Sequence, residues 1–161
     1  MSSVVTVGIG EMGVVQGEDS LITYALGSCV GVCIYDNNIK LAGMVHVMLP
    51  ASPEGGPGNT IGRYADTGVP ALIAIMEKRG GVRTRFTAKI AGGAKMFNIP
   101  GDSVVGNIGQ RNTEEVKKYL ASFRIPIVGE DTGLDYARTM SFEASSGLVT
   151  IKAFSKGTAT W

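Results

Sequence analysis

Hydrophobic and polar positions alternate, or β-branched and other apolar residues run together, over residues 4–9, 21–25, 30–36, 40–49, 84–90, 126–130, 138–144 and 148–154. Each of these segments predicts a strand. Two others carry a helical period instead. Over residues 113–123, Val116, Tyr119, Leu120 and Phe123 repeat at i, i+3, i+4 and i+7, so one stripe faces a core. Asn112 is placed to cap this helix, Glu115 completes a capping box, and Pro126 stands just past the end. The second helix starts near Tyr64 or Thr67 and ends at Arg79, with Leu72, Ile73 and Met76 as core positions and Gly80-Gly81 as the stop. Pro70 favours a start near Thr67 or a kink. Within the first turn its missing N–H costs little, whereas in a helix interior it costs about 3 kcal/mol.

Strands outnumber helices and the two do not alternate regularly, which argues against a doubly wound parallel sheet. The pattern fits an α+β fold, with mixed β-sheets forming a sandwich-like core and helices outside. Residues 1–161 have the length of a single domain. An apolar content of 44% with 18% charged residues excludes disorder. A net charge of +1 supplies no field to draw phosphate backbones or anionic lipid, so nucleic acid is not an expected partner. The longest apolar stretches, 69–76 and 29–35, fall short of the roughly 18 residues needed to span a bilayer, so membrane insertion is not expected. The first residues lack the basic region and apolar core of a secretion signal, and the expected location is cytoplasmic.

The candidate chemistry is sparse. Gly8-Ile-Gly-Glu-Met-Gly13 follows a strand and matches a dinucleotide-binding pattern, but Val14-Val15-Gln16-Gly17 does not continue as the helix that must hold the pyrophosphate. It reads as a turn. Gly92-Gly93 lacks the rest of a phosphate loop and reads as a tight turn where backbone packs closely. If residues 29–35 form one strand, Cys29 and Cys33, four apart, stand about 13 Å from each other, too far to bridge. Their spacing is not that of a zinc site, so no metal is expected. Cys29 follows Ala25-Leu-Gly-Ser28, a flexible lead into an apolar strand. Its sulfur can sit at the strand's mouth, with the backbone N–H groups of Ser28 and Cys29 free to hold an oxyanion. Cys33 reads as a small buried hydrophobe.

The single histidine, His46, shares a strand face with Met44 and Met48. It is either a core histidine bonded to a carbonyl or a base aimed at a thiol. A Cys–His pair is the minimum for thiol nucleophilic catalysis, with a thiolate–imidazolium ion pair as the usual source of reactive sulfur. A third group should orient the ring. Thr23 is one candidate because its hydroxyl accepts from an imidazole N–H; Asp36, Asp66, Glu130 and Asp131 compete for the role. The Gly/Pro-rich loop 51–62 is long enough to serve a function, although most such loops are plain surface excursions.

Taken together, Leu26-Gly-Ser-Cys-Val-Gly-Val-Cys-Ile-Tyr-Asp36, Ala42-Gly-Met-Val-His-Val-Met-Leu-Pro50, Arg63-Tyr-Ala-Asp-Thr67, Lys89-Ile-Ala-Gly-Gly-Ala-Lys-Met-Phe97, Ile108-Gly-Gln-Arg-Asn112 and Glu130-Asp-Thr-Gly133 stand in the order and spacing of the CheD family, the chemoreceptor glutamine deamidases of bacterial and archaeal chemotaxis. The resemblance runs over nearly the whole chain. It implies a cysteine hydrolase that converts receptor glutamines to glutamates, with a fold like that of a deamidating bacterial toxin domain. In this resemblance Cys29 matches the nucleophile, His46 the general base and Thr23 the third catalytic residue. One departure follows Gly133. The family pattern continues with a second Gly and Asn before Gly-Arg, whereas this chain has Leu134-Asp-Tyr-Ala-Arg138.

The mechanism that the resemblance implies starts with a Cys29 thiolate, made by proton transfer to His46, attacking the glutamine carbonyl. A thioester follows, which His46 then helps water to hydrolyse. The same chemistry extends to receptor glutamyl methyl esters. Expected partners are the cytoplasmic helices of methyl-accepting chemoreceptors and a CheC-type phosphatase, with loop 51–62 near the mouth of the site. Two other classes are open. A non-enzymatic adaptor that binds receptor or phosphatase would not need Cys29, and a redox sensor would need both thiols.

Overall fold

The computed structural model describes residues 2–96 and 107–161; Met1, and Phe97 of the Lys89-to-Phe97 motif, lie outside the described residues. Two five-stranded sheets pack face to face. The first, in spatial order, is β1 (Val4–Thr6), β3 (Ser20–Leu26), β8 (Arg138–Glu143), β9 (Val149–Ala153) and β10 (Gly157–Thr160). The second is β2 (Met12–Gln16), β5 (Leu41–Val47), β4 (Val30–Asp36), β6 (Thr87–Gly92) and β7 (Ile127–Thr132). Each is mixed: β1 runs parallel to β3 and β6 parallel to β7, while the other neighbours are antiparallel. Helices α1 (Ala65–Lys78) and α2 (Ile108–Ser122) both cover the outer face of the second sheet. The α+β sandwich with outer helices that the pattern predicts is therefore the fold observed. No helix among the described residues is long and apolar enough to cross a membrane.

The centre of this arrangement is the β4–β5 pair, in which every strand residue is buried. A sheet covered on both faces needs apolar side chains at consecutive positions, which is why these strands read as unbroken runs. Val30, Val32 and Ile34 of β4 and Val45 and Val47 of β5 pack with Leu72, Ile73 and Met76 of α1 and with Val116 and Leu120 of α2. Cys33, Tyr35, Ala42 and Met44 face the other way, into the layer between the sheets, with Leu21, Met140, Phe142 and Ile151. Gly43 lets α1 approach closely: a Cβ there would lie 2.6 Å from Met76 Sδ and 2.9 Å from Leu72 Cδ1.

Two strands escape the pattern reading. β2 follows the Gly8–Gly13 turn, and β10, Gly-Thr-Ala-Thr, is exposed at every residue. The latter is an edge strand held by its ladder to β9, so burial leaves no apolar alternation in it. The predicted segment 84–90 starts late, because Arg83–Arg85 forms a 3-10 turn and the strand begins at Thr87.

The helices also differ from their predicted bounds. α1 starts at Ala65, which places Pro70 in its second turn, where the hydrogen bond to the Asp66 carbonyl is forgone. Packing of Val69, Leu72, Ile73 and Met76 outweighs that loss. α2 starts at Ile108, a full turn ahead of the predicted segment, so Asn112 is not its cap but a fully buried residue inside it.

Asp36, at the end of β4, fastens this sheet to the 3-10 turn. Its buried carboxylate accepts from Arg85 Nε and Nη2 at 2.9 Å and from the backbone N–H groups of Asn38 and Val82 at 3.0 Å. Burial alone pushes this carboxyl up, but the hydrogen bonds from Arg85, Val82 and Asn38 outweigh it and hold the group below the ordinary carboxylate range. A depressed folded-state value stabilises the protein above the unfolded value, and that stability is lost as pH falls through the folded one. Asp36→Asn is expected to cost about 2 kcal/mol in urea unfolding at pH 7 and to weaken the loss of stability below about pH 4. Unfolding curves of both proteins from pH 7 to 3 check this.

Candidate active site

The three residues matched to catalytic roles come from two strands and a turn. Thr23 lies on β3 of the first sheet, His46 on β5 of the second, and Cys29 in the turn that leads into β4. Thr23 and His46 meet across the layer between the sheets, where Thr23 Oγ1 is 2.6 Å from His46 Nδ1 and 2.6 Å from the Val7 carbonyl oxygen. A hydroxyl has one hydrogen. Donating it to the carbonyl leaves only lone pairs for the ring, so His46 Nδ1 carries a hydrogen and donates. The neutral ring then presents a free lone pair at Nε2, which is buried and has no hydrogen-bond partner among the described residues. None of the acidic competitors holds this ring. Asp36 is bound to Arg85, Asp66 to Ser52, Glu130 to Lys117 and Asp131 to Arg138.

The ladder register places Cys29 relative to His46. The β4–β5 ladder begins with Val30 opposite Val47 and Gly31 opposite His46, so Cys29 lies immediately before it, two residues from the cross-strand partner of His46. Cys29 packs into the inter-sheet cluster with Cys33, Ala42 and Met44, on the face that carries His46. Both thiols are free. Cys33 is fully enclosed, with its sulfur 3.9 Å from Met140 Sδ, as a small core hydrophobe.

The turn before β4 has an ordered backbone. The Gly27 carbonyl accepts from Ala94 N–H at 2.8 Å, the Cys29 carbonyl from Gly93 N–H at 2.8 Å, and the Ser28 carbonyl from Asn112 Nδ2 at 2.9 Å. In a trans peptide the N–H points opposite to the preceding carbonyl. Tying back the Gly27 and Ser28 carbonyls therefore turns the N–H groups of Ser28 and Cys29 to the other side. There neither donates to a protein acceptor among the described residues.

Gly92 and Gly93 make the receiving corner. A Cβ on Gly92, at φ +111°, would collide with the Cys29 carbonyl, and one on Gly93 with Thr113 Oγ1. The tight turn predicted there is thus present and seats the cysteine's backbone. At Gly8–Gly13 the structure likewise has a turn, closed by Glu11 N–H to Gly8 O at 3.0 Å and followed by strand β2 rather than a helix.

Burial dominates the electrostatics. It pushes the Cys29 thiol up, with the hydrogen bond from its own backbone N–H as a partial offset. It pulls the His46 imidazole down to about 4. Burial thus favours the uncharged form of each group, thiol and imidazole, over the ion pair. Among the described residues no three His, Cys, Asp or Glu side chains come together as metal ligands.

Sequence reasoning missed Asn112. Its Nδ2 donates to the carbonyls of both Ser28 and Met48 at 2.9 Å, so one amide spans the nucleophile's turn and the end of the strand that carries His46. The only signal was its place in the Ile108–Asn112 motif, where it read as a helix cap. Loop 51–62 leaves and returns at that same strand end, since Arg63 O accepts from Met48 N–H at 2.8 Å and Leu49 N–H at 2.9 Å. In the departing segment after Gly133, Leu134 adopts φ +60° and its carbonyl accepts from Lys95 N–H at 2.8 Å.

A family model described as CheD chemotactic sensory transduction matches residues 48–153. Over 157 residues, 98% of this chain and 98% of the relative, the sequence is 41% identical to a protein of Syntrophomonas wolfei subsp. wolfei named "Probable chemoreceptor glutamine deamidase CheD". A relative of the same name from Lachnoclostridium phytofermentans is 42% identical over 97% of each chain. Another, from Desulforamulus reducens, is 43% identical over 92% of this chain and 89% of its own. The matched family region begins after Cys29 and His46, but the alignment to the Syntrophomonas wolfei relative spans both positions and Thr23.

With Nδ1 bonded to Thr23 and the ring enclosed, His46 is expected to stay a neutral Nδ1–H tautomer at neutral pH and to protonate only near pH 4. Long-range nitrogen–proton NMR of this single histidine reads both properties; titration near 6.5 would show that the cleft does not shield the ring.

Proposed function

This chain belongs to the CheD family, and from that premise we propose that it is a protein-glutamine deamidase acting on methyl-accepting chemoreceptors, with residues 1–161 working as a single domain. The observation that carries the reading is the His46 ring, whose tautomer is fixed by Thr23 so that an unpartnered Nε2 faces the inter-sheet layer that also receives Cys29. A buried polar atom left without a partner costs about 1–3 kcal/mol. That cost is understandable where a proton must be received.

In this reading the Cys29 sulfur attacks the glutamine side-chain carbonyl carbon while its proton passes to His46 Nε2. Because the resting groups are neutral, proton transfer accompanies attack. The N–H groups of Ser28 and Cys29 bind the oxygen as it gains negative charge. His46 returns the proton to the departing nitrogen, the C–N bond breaks, and ammonia leaves a thioester. Water, giving a proton to His46, then attacks the thioester carbonyl. The C–S bond breaks, the sulfur recovers its proton, and a glutamate remains. Thr23 keeps the ring in register throughout. No cofactor enters. A glutamyl methyl ester would follow the same route with methanol as the leaving group.

The surroundings suit a helical substrate. Tyr24, Met48 and Ile61 expose apolar surface next to Thr23, two residues past His46 and at the end of loop 51–62. An amphipathic helix docks on such a surface through its apolar stripe. We take the substrate to be the receptor's cytoplasmic helices, the location to be the cytoplasm, and a CheC-type phosphatase to be a competing partner for the same face. A non-enzymatic adaptor role has no use for a fixed histidine tautomer.

Incubation of a receptor cytoplasmic fragment with the protein, followed by mass spectrometry, tests the reading. Wild type is expected to convert specific glutamines and Cys29→Ala none; unchanged amide content with folded wild type would refute it. Thr23→Val is expected to lower kcat by at least about tenfold with a smaller effect on KM, because it releases the ring without touching substrate.

A further inference from the structure

We infer that Asn112 is a positioning residue for the reaction, holding the Ser28 carbonyl so that the Cys29 backbone N–H is aimed at the developing oxyanion. The inference rests on the deamidase reading and deepens it. Asn112 lies inside α2 with no exposed surface. Its two amide hydrogens go to two carbonyls from different elements, Ser28 and Met48, each at 2.9 Å. Ser28 O is the carbonyl of the peptide whose N–H belongs to Cys29, so holding one end of that plane directs the other. Met48 stands two residues past His46, and its N–H is held by Arg63 O at 2.8 Å. One side chain therefore links the oxyanion donor, the nucleophile and the base strand.

The arrangement gives up stability. Asn is a poor residue for a helix interior, because its side chain competes for backbone hydrogen bonds. Its Oδ1 is buried with no partner among the described residues. The helix also needs Gly109, where a Cβ would clash with the Ala94 carbonyl, to bring this turn close enough. The same Gly93–Ala94 segment holds the Gly27 and Cys29 carbonyls, so α2 and the glycine corner constrain the turn from one side together.

Asn112→Ala and Asn112→Asp, in the full chain, provide the test. The assays are glutamine conversion in a receptor fragment, alkylation of Cys29 by iodoacetamide, and thermal melting. Alkylation needs the same sulfur but builds no oxyanion. Asn112→Ala is expected to lower kcat by about 10- to 100-fold while KM and the alkylation rate stay within about threefold of wild type. Asn112→Asp keeps the volume, lacks donors when ionised, and regains one when protonated. Its kcat relative to wild type is expected to rise as pH falls from about 8 to 5.

A folded variant with kcat within about threefold of wild type would overturn the inference, as would kcat and alkylation falling by the same factor, because the amide would then act on the thiol's surroundings. Loss of cooperative melting in both variants would also overturn it, leaving Asn112 a structural residue. Wild type that alkylates normally yet converts no glutamine would bring down the deamidase reading and this role with it, whereas failure confined to the Asn112 variants leaves that reading standing.

Discussion

A peptide plane cannot turn one end without turning the other, and the turn from Gly27 to Cys29 is governed by that constraint. Its three carbonyls are taken up by Ala94, Asn112 and Gly93. The amide hydrogens of Ser28 and Cys29 are consequently presented on the opposite side, away from the groups that could have satisfied them. Much of the surrounding structure serves this one fact. The glycine corner at Gly92 and Gly93 exists because a side chain there would collide with the Cys29 carbonyl or Thr113. Gly109 lets the first turn of α2 close on the corner from behind.

The other half of the site depends on burial. The sandwich surrounds β4 and β5 on both faces, so His46 lies where water cannot solvate an imidazolium and the ring is held neutral. A neutral ring needs its tautomer chosen for it. A threonine hydroxyl that has already spent its hydrogen on the Val7 carbonyl makes that choice without adding a charge to the cleft. A carboxylate in the same place would draw the ring toward its charged form. β3 bends to reach this position: its register shifts between Thr23 and Leu26, and Ala25 sits at φ +57°, a conformation that costs a non-glycine residue about 1–2 kcal/mol. The strain falls between Thr23 and the Cys29 turn, where the chain must leave one sheet for the other.

A good part of this was legible in the letters. The consecutive apolar residues of β4 and β5 can only belong to strands covered on both faces, and period two placed His46 on the face of Met44, where it is found. The failure of a helix to follow Gly8–Gly13 separated a turn from a nucleotide site correctly. Cys33 had no feature beyond a small apolar residue and is a core thiol. Edge strand β10 was invisible because ladder bonds, not buried side chains, hold it. The choice among Thr23 and four carboxylates was open for a related reason. Each acid looked available in sequence, and each is engaged by a cation or hydroxyl that folding brings to it.

Local order and chemical types were thus determined by the sequence itself, since side-chain periodicity and the reactivity of a thiol or imidazole are properties of near neighbours. Tertiary structure alone decided which hydrogen of which amide goes where. Asn112 shows the difference. Read along the chain it is a helix cap, a role set by residues three positions away, while in the fold it is a strap between carbonyls 84 and 64 residues distant. A hydrogen bond is a matter of distance and angle in space, and no spacing in sequence records a partner that only folding brings within 3 Å.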